Sequence, residues 1–193
     1  MKTLCVYCGS SLGNQPAYAD AAREMGRALV AANIELIYGG GRVGLMGVLA
    51  DAVLEAGGRV QGVIPQALAD LEVAHQGLTK LHVVETMHQR KALMADLSDG
   101  FIALPGGIGT FEELFEIWTW AQLGMHTKPI GLLNILGYFD LLLGFLDHAV
   151  SQQLLKPVHR GVIQVSAHPA ELLTQLLQAH PASSPKWIGE KQT

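Results

Sequence analysis

The feature that most constrains this chain is the alternation of short apolar runs with helix-period segments. Strand-like runs fall at residues 4–8, 34–38, 59–64, 80–84, 100–104, 129–133 and 161–165. Helical patterns lie between and after them, at 16–32, 45–56, 86–97, 110–123, 138–153 and 169–179. Residues 65–79 read as an irregular surface excursion. Strands joined by helices across short turns form βαβ units, and βαβ units build a parallel sheet. Such strands are covered on both faces, which is why they read as continuous apolar runs rather than alternating ones. The expected fold is α/β: a Rossmann-like, doubly wound parallel sheet of about seven strands, flanked by helices, in a single domain. Residues 1–180 are expected to form that domain and 181–193 a flexible tail. In open α/β sheets ligands bind beyond the carboxyl ends of the strands. The loops at Gly9, Gly39, Glu85 and Pro105 all lie there, so residues in them can share one crevice.

Composition narrows the partners. Lys and Arg total 13 against 17 Asp and Glu, a formal charge of −4, so no basic surplus points to a nucleic-acid polymer. Charged residues make up 16% and hydrophobic ones 49%, which excludes a disordered chain. Low charge implies a large core, or apolar surface hidden between subunits. No run of about 18 apolar residues occurs to cross a membrane, and the N-terminus lacks the pattern of a signal peptide. The two cysteines, Cys5 and Cys8, have the spacing of a redox or half-zinc C-x-x-C. On a strand, however, residues three apart point to opposite faces, and no second pair completes a zinc site. They read as buried thiols in a reducing cytoplasm.

Glycine, at 22 residues, concentrates in two strand-to-helix turns. In residues 38–47, Gly39, Gly41 and Gly44 match G-x-G-x-x-G, the dinucleotide fingerprint. That fold also wants an acid at the end of the next strand for the ribose hydroxyl, and residues 59–64 end without one. What remains is mechanical: glycines let backbone N–H groups approach an anion at a helix N-terminus, or simply allow a tight turn. In residues 104–113, Gly106, Gly107 and Gly109 expose backbone donors, and Thr110 can cap the helix or donate to a phosphate. No Gly-Lys-Ser/Thr follows, so this is not a Walker loop. Glu112 and Glu113 suit the first turn of a helix, where the dipole favours carboxylates. Beside a phosphate they would be repelled, unless they serve the neutral part of the ligand.

Arg90 shares a helix face with Leu93, Met94 and Leu97 and so points inward. An inward arginine needs a partner, either a ligand or one of Glu85, Asp96 and Asp99. His88 reads as structural, and no cluster of His, Cys or carboxylates marks a metal site.

Residues 105–113, Pro-Gly-Gly-Ile-Gly-Thr-Phe-Glu-Glu, resemble the PGGxGTxxE motif of the LOG family, whose members hydrolyse cytokinin riboside 5'-monophosphates and were long mislabelled lysine decarboxylases. Residues 38–47 resemble the family's YGGGxxGLMG, 87–91 its MHQRK, and residues 120–124 and 131–134 also look familial. The likeness spans roughly residues 3–178. It implies Arg90 and Glu113 as the catalytic pair. It also implies Gly106, Gly107, Ile108, Gly109 and Thr110 as the holders of a 5'-phosphate. Glu72, Lys91, Phe111, Glu112 and Thr119, with Ser10, Gly40 and Gly41 from the other loops, would complete substrate binding. The implied reaction splits the N-glycosidic bond of a purine nucleoside 5'-monophosphate, the base being adenine or an N6-substituted adenine, and leaves ribose 5-phosphate. It calls for no metal or redox cofactor. The implied partners are that small molecule and a second copy of the chain, as a homodimer or larger. The helix at 111–123 is apolar nearly all round, and such a helix is buried on every side. Two rivals stand beside this reading. A pyridoxal-phosphate decarboxylase would need a Schiff-base lysine, for which Lys91 and Lys128 are available. A nucleotide or molybdenum-cofactor carrier would use the same loops without turnover.

Overall fold

The computed structural model describes residues 1–71 and 73–179; Glu72 and the expected tail at 181–193 lie outside the described residues. Seven strands form one sheet: β1 (Thr3–Tyr7), β2 (Glu35–Tyr38), β3 (Val60–Pro65), β4 (Lys80–Val84), β5 (Phe101–Ala103), β6 (Ile130–Leu133) and β7 (Ile163–Ser166). Their order is β4-β3-β2-β1-β5-β6-β7, and every pairing is parallel. The helices are α1 (Pro16–Ala31), α2 (Gly44–Glu55), α3 (Gln66–Ala69), α4 (Met87–Asp96), α5 (Ile108–Gln122), α6 (Asp140–Ser151), α7 (Pro157–Arg160) and α8 (Pro169–Gln178).

The sheet separates two cores, as a doubly wound fold requires. Leu4, Val6 and Cys8 of the first strand and its loop point into one, with Met25 and Leu29 of α1, Leu49 and Val53 of α2 and Leu172 of α8. Cys5 and Tyr7 point into the other, with Met94 of α4, Leu114 and Ile117 of α5 and Leu146 of α6. The two cysteines are therefore free, buried and on opposite faces. Burial pushes both thiols up, which removes them as nucleophiles.

β1 pairs with β2 on one side and β5 on the other. Successive strands run outward from β1 to β4, and the chain then crosses back to place β5 on its far side. The direction of winding reverses between β1 and β5, so their two loops diverge there and leave a crevice. Local chemistry sets the loops around it. Gly44 sits at φ +60°, and a Cβ there would collide with the Ser10–Ser11 backbone. Only glycine lets the start of α2 lie that close to the β1 loop. α4 is held by a capping box: Thr86 Oγ1 accepts from Gln89 N (3.1 Å), and Gln89 Oε1 accepts from Thr86 N (3.2 Å).

The structure corrects several expectations. The excursion at 65–79 contains the short helix α3 and a bridge between Gly41 and Ala74. α7 carries no apolar period long enough to be read, and a strong pattern on either side hid it. The helix expected at 138–153 begins at Asp140, because Leu136 (φ +52°) and Gly137 (φ +70°) turn the chain left-handed first. α5 begins at Ile108, not Thr110, with Gly107 at its N-cap and no side-chain cap. It is not buried on every side in the single chain: Phe115 is 37% and Leu123 47% exposed.

Candidate active site

The crevice between the β1 and β5 loops opens into two adjoining clefts. One, of about 220 Å³, is lined by Ser10, Met46, Arg90, Thr110 and Glu113 and by the backbone at Gly107–Gly109. The other, of about 290 Å³, carries Leu12, Tyr18, Leu45 and Tyr138. Gly9, Ser10 and Gly107 belong to both.

Arg90 and Glu113 form the chemical centre of the first cleft. Arg90 reaches it from α4 across the ends of β2 and β3. Its Nη1 donates to Glu113 Oε1 at 2.9 Å, its Nε to the carbonyl of Val63 at 3.1 Å and its Nη2 to the carbonyl of Gly39 at 3.5 Å. Both residues are 9% exposed. The inward arginine therefore pairs with neither Glu85, Asp96 nor Asp99. A Cβ on Gly39 would occupy the place of the Arg90 guanidinium, so the glycine is what admits the arginine. Burial pushes the Glu113 carboxyl above its ordinary range; the Arg90 guanidinium pulls it back only in part, and Glu112 adds to the rise.

The floor of the cleft is the start of α5. Its first N–H groups have no side-chain cap, and the helix dipole makes this end attractive to an anion. The carbonyls of the preceding loop are all turned to protein donors. Pro105 O accepts from Gly9 N (3.1 Å), Gly106 O from the Tyr138 hydroxyl (2.5 Å) and Gly107 O from Phe111 N (3.1 Å). Added Cβ atoms on Gly107 and Gly109 would meet nothing within 4 Å, so both face open space. Thr110, 4% exposed, does not cap the helix; its side chain packs under Gly106.

Ser10, Arg90, Gly107, Ile108, Gly109, Thr110 and Glu113 thus meet in one cleft, and Gly106 lines its neighbour. The other sequence candidates sit elsewhere. Gly40 packs on Ile64 and Leu81, and Gly41 on Met46. Phe111 lies against Phe139 in the second core. The Thr119 hydroxyl donates to Phe115 O on its own helix. Lys91 Nζ bonds Glu112 (2.5 Å) and Glu116 (3.0 Å) beside the cleft rather than in it. Burial alone would depress the Lys91 ammonium, but the hydrogen bonds and charges of those two carboxylates outweigh it and raise its pKa. Glu72 lies outside the described residues. Sequence reasoning brought the Gly9 loop to the crevice but missed Met46 and Tyr138. Only Gly9, directly after a strand, carried a signal. Among the described residues no group of three or more His, Cys, Asp or Glu is placed to hold a metal ion, and no helix is long and apolar enough to cross a membrane.

Known proteins share both sequence and fold with this chain. A family model described as "Possible lysine decarboxylase" matches residues 46–176. A cytokinin riboside 5'-monophosphate phosphoribohydrolase from Arabidopsis thaliana is 50% identical over 190 residues, 98% of this chain and 89% of its own length. A probable enzyme of the same name from Oryza sativa subsp. japonica is 51% identical over 175 residues, 91% of this chain and 70% of its own. Among solved structures, the molybdenum cofactor carrier protein of Chlamydomonas reinhardtii superposes with a TM-score of 0.69 at 21% identity, covering 92% of this chain and 99% of that one. The molybdenum cofactor binding protein of Rippkaea orientalis gives 0.68, also at 21%, covering 92% and 96%. At that identity the likeness establishes the fold alone. Half of all positions shared along nearly the whole length is a different matter, and the chain belongs to the LOG family of cytokinin riboside 5'-monophosphate phosphoribohydrolases.

Proposed function

We propose that this chain hydrolyses the N-glycosidic bond of purine nucleoside 5'-monophosphates carrying adenine or an N6-substituted adenine. The observation that carries the reading is the buried Arg90–Glu113 pair facing a cleft floored by an uncapped helix N-terminus. The 5'-phosphate rests on the backbone N–H groups at Gly107–Thr110, and the ribose lies over Glu113. As the C1'–N bond breaks, positive charge develops on the sugar. The Glu113 carboxylate stabilises that charge and accepts a proton from the attacking water. The water oxygen joins C1', and the base leaves with the bond electrons and takes up a proton. The products are free base and ribose 5-phosphate. Arg90, with three bonds to protein oxygens, holds the carboxylate in place. The phosphate lies away from the reacting bond, so its binding energy serves to position the sugar.

The same geometry weighs against a Schiff-base enzyme. Such a lysine must lose its proton, whereas the Lys91 ammonium is held charged by Glu112 and Glu116. Lys128 donates to the carbonyl of Ala95 and lines no part of the crevice. A homodimer and a cytoplasmic location belong to this proposal. Exposed Phe115 on α5 and Leu123 at its C-terminal cap support the first, and two cysteines placed where they cannot bond each other support the second.

The decisive experiment incubates the protein with AMP, N6-isopentenyl-AMP and the matching nucleosides and follows released base by chromatography. Monophosphates are expected to turn over and nucleosides not. Glu113→Gln is expected to bind nucleotide and lose on the order of 10²–10⁴-fold in rate. Near wild-type release by that variant removes Glu113 from the chemistry. Binding without turnover by the wild type identifies a carrier instead.

A further inference from the structure

The second cleft contains a residue that neither the motifs nor the reaction assigns. Tyr138 follows β6 in a turn that is costly to make. Asn134 Oδ1 accepts from Phe139 N (2.7 Å), Asn134 Nδ2 donates to Asp140 Oδ1 (2.7 Å), and Leu136, a γ-branched residue, is held at φ +52°. The outcome is that the Tyr138 ring stands edge-on to Tyr18, with centroids 5.7 Å apart, and its hydroxyl donates to Gly106 O at 2.5 Å. Gly106 cannot be anchored by a side chain of its own, since a Cβ would run into Thr110. Of the three loop carbonyls, those of Pro105 and Gly107 are tied by backbone donors; that of Gly106 depends on a side chain from another element.

We infer that Tyr138 is a positioning residue for the phosphate loop: it draws the Gly106 carbonyl away from the anion and so aims the N–H groups of Gly107 and the first turn of α5 at it. Left untied, the peptide is able to rotate and present its oxygen to the phosphate, which repels it. The role rests on the proposed phosphate site, and it separates from catalysis because Tyr138 does not line the cleft of Arg90 and Glu113.

Tyr138→Phe keeps the ring and removes only the donor. The expected result is a KM for AMP about five- to ten-fold higher, the size of one lost hydrogen bond, with kcat within about two-fold of wild type. Binding of ribose 5-phosphate, read by calorimetry without turnover, weakens by the same factor. A KM and a ribose 5-phosphate affinity both at wild-type values overturn the role. So does a loss of kcat with KM unchanged, or a general loss of folding that leaves the affinity of the folded fraction intact. A wild-type enzyme that hydrolyses AMP and adenosine alike overturns the phosphate-loop reading itself, a result distinguishable because it needs no variant.

Discussion

Gly39, Arg90 and Glu113 behave as one unit. The absent side chain at Gly39 is the space the guanidinium fills, and the guanidinium is what lets a carboxylate sit 9% exposed beside an apolar core. Removing either charge would leave the other buried and unpaired, a cost that usually exceeds the value of the pair itself. The arrangement also sets a pH dependence. Burial raises the Glu113 pKa more than Arg90 lowers it, so protonation begins at a higher pH than in a free glutamate. The reaction needs the carboxylate. As pH falls, kcat/KM is therefore expected to decline on an acid limb displaced above about 4.3, the ordinary value for glutamate. A pH–rate profile checks this, and a limb at or below that value overturns the assignment of Glu113 as the titrating group. That Arg90 points inward was legible from its helical spacing. Its helical spacing did not give its partner, because Glu113 is 23 residues away on another helix; only the resemblance of the two motifs paired them.

At the scale of the element, the start of α5 shows how two neighbouring glycines do different work. Gly106 is glycine because Thr110 and the Gly9 backbone leave no room. A Cβ on Gly107 would meet nothing within 4 Å, and the proposed phosphate site takes that space. Gly106→Ala is expected to destabilise the fold by about 1–3 kcal/mol through overpacking. Gly107→Ala, at an ordinary φ of −96° with nothing within 4 Å of its Cβ, is expected to change stability by no more than about 0.5 kcal/mol while raising KM for AMP roughly ten-fold or more. Thermal unfolding and steady-state kinetics on the two variants separate packing from binding; matched losses of stability would refute the distinction. The regular elements were readable because apolar period and turn residues agree along β1, α1, β2 and α2. The start of α6 was not. Residues 138–153 carry one helical period throughout, but Asn134 and the left-handed pair Leu136–Gly137 hold Tyr138 outside the helix. Those are side-chain and dihedral events that a period does not record.

For the whole molecule, the strand order is what assembles the site. Ser10 follows β1, Arg90 follows β4, and Thr110 and Glu113 follow β5, and the reversal between β1 and β5 gathers them at one edge. The single chain leaves apolar side chains exposed on α5, at its C-terminal cap and on α6, namely Phe115 (37% exposed), Leu123 (47%) and Phe145 (65%). Large apolar side chains left exposed on a single chain are candidates for burial between subunits. Sedimentation is expected to return a mass of two chains or more, and Phe115→Asp to shift the population toward one chain. A wild-type monomer at micromolar concentration refutes the homodimer. Strand–helix alternation, two glycine turns and an inward arginine were determined by the sequence alone, because period, turn chemistry and burial are properties of a few neighbouring residues. The tertiary structure alone decided that Arg90 and Glu113 are in direct contact, that Gly40 and Gly41 pack rather than line the cleft, and that Tyr138 ties the Gly106 carbonyl. Each of these depends on which strands lie side by side, and that is settled by the burial of two cores across a sheet rather than by any local run of residues.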